Sequence, residues 1–214
     1  MYKRQIFGCL RENDLFKNTW IIFTADHGEM LGDHHMSQKN LFFEGSAHVP
    51  LLIMPPQGRS LPQNISVEAP TDLVDLYPTI LAMAGLSSPV SVSGRNLLEP
   101  VPMDRIFFGN SLNRNFCVME EKVKLVYSAV GDHVLLFDLN TDPMEQHNLA
   151  EDPAWQERKA KLWKLLLEHT AQYTPEALDE KGQFLTYEAP HFPGDVPGRW
   201  FGFHYHDYSC LLYT

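Results

Sequence analysis

Three cysteines in 214 residues, Cys9, Cys117 and Cys210, are too few for a disulfide framework and show no metal-ligand spacing. Basic residues are also scarce. Seventeen Lys and Arg stand against 27 Asp and Glu, a formal net charge of −10, and a chain without a basic face has no general affinity for nucleic-acid phosphates or anionic lipid. Neither nucleic acid nor a membrane is therefore expected as a partner. No apolar run approaches the roughly 20 residues that span a bilayer; the longest, Val49 to Met54, has the length of a strand. Charged residues at 21%, with 13 Gly and 15 Pro, exclude coiled coil and collagen. What is present, 44% apolar and 12% aromatic residues, is enough to bury a core.

The opening Met1 to Gln5 and the closing Cys210 to Thr214 look like translated ends of an adapter used in building sequencing libraries, and both are set aside from fold reasoning. The expectation that follows is a gene segment cut at both ends, with oligomeric state and compartment left open.

Ile6 to Leu15 carries spaced apolar positions and runs into Asn13-Asp14, the end of a helix. Thr19 to Thr24 and Val49 to Met54 are nearly uninterrupted apolar runs, the pattern of strands covered on both faces as in a parallel sheet. About 25 residues separate them, and structureless connections beyond about 15 are uncommon, so this loop is expected to do something. Leu73, Leu76, Tyr77, Ile80, Leu81 and Ala84 fall at helical spacing, with Gly85 as C-cap and Pro78 admitted only in a first turn that opens near Asp75. Glu99-Pro100-Val101-Pro102 is a candidate boundary. Beyond it, Arg105 to Phe108, Cys117 to Ala129 and His133 to Leu139 read as an antiparallel meander. Asp152-Pro153 then opens a helix burying Trp155, Leu162, Leu165 and Leu166. The organisation expected is a catalytic α/β portion over 6–100, a small α+β subdomain over 101–172, and an irregular aromatic tail over 173–209.

The loop after the first apolar run begins Thr24-Ala25-Asp26-His27-Gly28-Glu29. Ligands of open α/β sheets sit at the carboxyl ends of strands, which is where Asp26 and His27 emerge. A carboxylate and an imidazole on consecutive residues can both ligate a divalent cation, with Gly28 letting the backbone turn behind them. Alternatively, Asp26 makes a local Asx turn and His27 packs nearby. His34 and His35 are close enough to line a pocket, although adjacent side chains tend to point apart. Glu44 either pairs with Lys39 or another neighbour, or is solvated. His204 and His206, alternating in an aromatic stretch, could share one face of a strand.

Taken in order, Thr24-Ala25-Asp26-His27-Gly28-Glu29, Leu31-Gly32-Asp33-His34, Lys39 thirteen positions after Asp26, and Phe43-Glu44-Gly45-Ser46 running into Val49-Pro50-Leu51-Leu52-Ile53 resemble the sulfatase branch of the alkaline-phosphatase superfamily. The likeness is greatest to the bacterial group that includes choline sulfatase and phosphonate monoester hydrolase. It extends through Val74 to Leu81 with Ala84-Gly85, and through Leu136-Phe137-Asp138-Leu139, Asp142-Pro143, Glu145 and Asn148-Leu149.

The resemblance implies an α/β fold: the C-terminal part of an alkaline-phosphatase-like mixed-sheet sandwich, followed by a small antiparallel sheet plus helix. It implies metal-dependent hydrolysis of sulfate monoesters, with a small-molecule or carbohydrate sulfate ester as partner; the alternatives are a phosphonate or phosphodiester hydrolase of the same superfamily, or a non-catalytic homologue. Asp26 and His27 become ligands of one divalent ion, calcium first, with magnesium or manganese as alternatives; the position of His27 is often an amide, and because imidazole is a softer ligand it weakens calcium and leaves manganese or another transition ion open. Lys39 becomes the catalytic, substrate-binding cation on the sulfate. The formylglycine nucleophile of such enzymes arises in a Cys/Ser-x-Pro-x-Arg motif. Neither Cys9, followed by Leu10-Arg11-Glu12, nor Cys117, followed by Val118-Met119-Glu120, fits it. That motif is expected upstream, so the chain alone is expected to be inactive.

Overall fold

The computed structural model describes residues 2–36, 39, 42–59, 66–89 and 91–188. The expectations for His204, His206 and most of the aromatic tail lie outside these. The chain packs as two units, one of residues 1–26 and 49–103, the other of residues 27–48 and 104–214.

In the first unit, helix α1 (Tyr2–Glu12) stops at Asn13 and Asp14 as its polar end predicts, and a short 3-10 turn over Leu15–Lys17 leads into strand β1 (Ile21–Thr24). Strand β2 (Leu51–Met54) pairs with β1 antiparallel, in the register Ile21 to Met54 and Thr24 to Leu51. This corrects the parallel, doubly covered arrangement expected from the apolar runs: Phe23, Leu52 and Met54 are exposed. An apolar run reports burial tendency, whereas strand direction depends on which neighbour the chain reaches.

Helix α3 (Leu76–Met83) begins after a 3-10 turn, and Asp72 and Asp75 close a capping box across that turn. Pro78 sits in its first turn, where a missing N–H costs nothing. Gly85 adopts φ +73°, and the bonds from Gly85 N to Ala82 O and from Leu86 N to Leu81 O form the expected left-handed cap. Asp75 is fully buried because its second carboxylate oxygen accepts from Arg95 N at 2.7 Å, which ties the following loop to the helix.

The second unit is built on the antiparallel meander β3 (Phe107–Ser111), β4 (Asn115–Glu120), β5 (Val123–Ser128) and β6 (His133–Asp138). The stretch from Cys117 to Ala129 is two strands. It turns at Glu121 and Lys122, both with positive φ although neither is glycine, which is why the turn left no signal in the sequence. Asp152 caps the next helix through Ala154 N, and helix α4 (Gln156–Tyr173) buries Leu162 and Leu166.

The strand period of two divides this sheet cleanly. Phe116, Val118, Leu125, Tyr127 and Leu136 face α4, while Cys117, Val126 and Phe137 meet Met30, Met36 and Phe43 of the loop that follows β1. The sheet is thus covered by a helix on one face and by the 27–48 loop on the other.

Candidate active site

The loop is organised around one short helix, α2 (Glu44–Ala47). Its carbonyls reach back to the start of the loop: Gly28 N donates to Ser46 O at 2.7 Å, and Glu29 N donates to Gly45 O at 2.9 Å. The Ser46 hydroxyl donates to the Lys39 carbonyl at 2.6 Å. One turn of helix therefore holds the backbone beside His27 and the backbone of Lys39 together. The role of Gly28 differs from the expected sharp turn. A Cβ there would lie 2.1 Å from Gly45 O, so the residue is small because two backbones touch. Gly28→Ala is expected to destabilise this unit by about 1–3 kcal/mol, read by urea unfolding, because the clash is with backbone.

Asp26 is exposed at a bend just after β1, and His27 and Lys39 are half-buried. The His27 Nδ1 lies 2.8 Å from Gly28 O. A carbonyl can only accept, so Nδ1 carries the proton and the lone pair is on Nε2, the form in which imidazole binds a metal. Among the described residues, no three His, Cys, Asp or Glu side chains form a metal-holding group.

His34 stacks on Phe43, ring centroids 4.1 Å apart, while His35 is exposed. Glu44 pairs with Lys124 and with His48, at 2.5 and 2.9 Å, which decides its open alternatives in favour of a structural partner other than Lys39. The hollow between α4 and the β5–β6 turn, lined by Val134, Lys159, Trp163 and Leu167, contains none of these residues.

Sequence reasoning missed Lys124. Its side chain is 3% exposed and its Nζ donates to Phe42 O at 2.8 Å, Glu44 Oε1 at 2.5 Å and Glu145 Oε1 at 2.9 Å, which uses all three ammonium donors. Glu145, 1% exposed, accepts Glu44 N on its other oxygen at 2.7 Å. The one available signal was a lysine inside an apolar strand.

Burial opposes the Lys124 ammonium, yet the negative groups around it prevail and raise its pKa. Burial pushes the neighbouring Cys117 thiol up to about 12, against the pull of Lys124, so the standing charges beside the ammonium are Glu145 and Glu44. Both shifts have the same consequence in alkali. Above the ordinary thiol value of 9.0 the unfolded chain releases a proton that folded Cys117 keeps, and the Lys124 contribution, complete below 10.5, is lost as pH rises through its folded value. The thermal midpoint is therefore expected to hold between about pH 7 and 8.5 and to fall above about pH 9. Cys117→Ala should delay the onset, as differential scanning calorimetry across that range would show.

Residues 4–86 match the sulfatase family. That stretch includes β1, the loop and α3. Arylsulfatase K of Xenopus laevis is 33% identical over 166 residues, which cover 68% of this chain and 30% of that protein. The chain spans about a third of the length of the curated relatives it matches. The phosphonate monoester hydrolase of Agrobacterium radiobacter is 31% identical, with a TM-score of 0.62 over 83% of this chain and 41% of its own. A protein solved in complex with its substrate D-glucosamine-2-N,6-O-disulfate is 23% identical, with a TM-score of 0.63 over 83% of this chain and 39% of its own, and contributes a likeness of fold. The α/β, alkaline-phosphatase-like architecture expected from the sequence is thereby established, and the chain is homologous to sulfatases.

Proposed function

We propose that this chain is part of a metal-dependent hydrolase of sulfate monoesters, converting the ester and water into an alcohol and inorganic sulfate. The reading is carried chiefly by α2, which tethers the residues beside His27 and the backbone of Lys39 at the exit of a strand in a sulfatase-matched segment.

Asp26 and His27 would hold one divalent ion, calcium first, with magnesium or manganese as alternatives, through a carboxylate oxygen and Nε2. Such an ion polarises a sulfate oxygen and keeps the nucleophile near sulfur. Lys39 presents an ammonium to the sulfuryl oxygens, offsets charge as the S–O bond breaks, and stabilises or protonates the departing alkoxide. A formylglycine from a segment outside these 214 residues would supply the nucleophile. The substrate proposed is a small-molecule or carbohydrate sulfate ester. Carbohydrate is included because one structural neighbour binds a sulfated glucosamine.

A phosphonate or phosphodiester hydrolase is the second reading. It is favoured by the higher identity to the phosphonate monoester hydrolase than to the glucosamine disulfate complex, and metal and ammonium serve phosphoryl groups equally well. The test is kcat/KM of the full-length protein on matched aryl esters of sulfate, phenylphosphonate and phosphate, together with choline and glucosamine sulfates. The first reading expects sulfate monoesters to lead by at least tenfold. Phosphonate in the lead would establish the second, and a metal-loaded protein that turns over none of them would be a non-catalytic homologue.

A further inference from the structure

The sulfatase reading assigns no role to the buried charges on the loop-facing side of the meander. Lys124, Glu145 and Glu44 form a closed ring: Lys124 Nζ to Glu145 Oε1, Glu145 Oε2 to Glu44 N, and Glu44 Oε1 back to Lys124. A buried ion pair is poor stabilisation compared with apolar side chains of the same size, so such a ring needs another reason to be there. Its geometry supplies one. Two of the three acceptors on the ammonium, Phe42 O and Glu44, belong to the loop, and Lys124 stands on a central strand of the sheet.

The loop needs holding. Leu31, His34 and His35 have φ of 50°, 53° and 59°, left-handed backbone that a side chain disfavours by about 1–2 kcal/mol per residue. Strain of this kind persists only where the surroundings over-determine it. On one side of the strained turn, α2 receives the amides of Gly28 and Glu29; on the other, Ser46 receives the Lys39 carbonyl as its hydroxyl's acceptor.

We propose that Lys124, with Glu145, is the positioning residue of the active-site loop: it pins the first turn of α2 to the sheet, and α2 in turn fixes His27 and Lys39 relative to each other. The loop's geometry is thus set from the C-terminal sheet, through contacts 80 and 82 residues apart in sequence. The catalytic part of this inference rests on the sulfatase reading; the pinning itself does not.

The experiment compares wild type, Glu145→Gln and Lys124→Met as full-length protein by amide hydrogen exchange and steady-state kinetics. Glu145→Gln is expected to speed exchange at Gly28, Glu29 and Glu44 at least tenfold while leaving Leu125 and Leu136 in the sheet unchanged, and to lower kcat at least tenfold with KM within threefold and metal content kept. Lys124→Met should speed exchange at the same three loop amides more strongly, beyond the smaller rise at Leu125 and Leu136 that follows its lower global stability. If Lys124→Met does not fold, Ser46→Ala serves as the second variant, freeing the Lys39 carbonyl and lowering kcat with Leu125 and Leu136 unchanged. Unchanged exchange at the three loop amides in Glu145→Gln overturns the pinning. Faster loop exchange with undiminished kcat would keep the structural pinning and overturn the positioning role in catalysis.

Discussion

Lys39→Ala is expected to lower kcat on a sulfate monoester by a factor of about 10²–10³, the cost of removing one pre-positioned charge from a developing anion. The metal should stay, because an ammonium is not a ligand. KM should rise, but by less than kcat falls, since an ammonium on the sulfuryl oxygens also meets the charge of the bound ester while the charge on the leaving oxygen grows only as the S–O bond breaks. The loss should also depend on the leaving group. An alkyl sulfate releases a basic alkoxide that needs a proton or a cation beside it, whereas an aryl sulfate with an acidic phenol does not. A larger loss on the alkyl ester would place Lys39 at the leaving oxygen, and an equal loss on both would place it on the sulfuryl oxygens. Lys39→Arg should not restore the rate, because the planar guanidinium is not a compact point charge.

Lys124→Met is expected to cost about 3–5 kcal/mol of folding stability, because it leaves the Glu145 carboxylate buried without its cation and Glu44 beside it. Domains of ordinary stability carry only about 5–15 kcal/mol, so this substitution takes much of the total. The cost comes from stranded charge more than from a lost contact. Adding Glu145→Leu to Lys124→Met should therefore recover part of it, a non-additivity that urea denaturation of the single and double variants would measure. A single-variant loss below about 1 kcal/mol would mean that water or a shift of the chain compensates Glu145.

The elements that could be read from the sequence were those whose signal is local. The α3 cap at Gly85 and the Asp152-Pro153 helix start each depend on residues within one turn and stand where expected, and the antiparallel meander is present, with four strands where three runs were read because the Glu121-Lys122 turn carries no glycine. What could not be read depends on partners distant in sequence. The antiparallel pairing of β1 with β2 is one case, since an apolar run carries no direction. Glu44 is another: its partner Lys124 lies 80 residues away, and a lysine in a strand pattern reads as a solvent-facing residue until the loop is seen to cover that face. Gly28 is a third case, because the sequence shows a missing side chain without showing the Gly45 carbonyl that requires it to be missing. The adjacency of Asp26 and His27 is legible at once, while the Gly28 carbonyl 2.8 Å from the His27 Nδ1 is seen only in the fold.

The most direct test of the central claim is the metal content of full-length Asp26→Ala protein beside wild type, measured by plasma mass spectrometry on the same samples assayed for sulfate-ester hydrolysis. The account predicts about one divalent ion per active wild-type chain, and in the variant the loss of both the ion and the turnover. A variant that keeps its metal and its rate would contradict it.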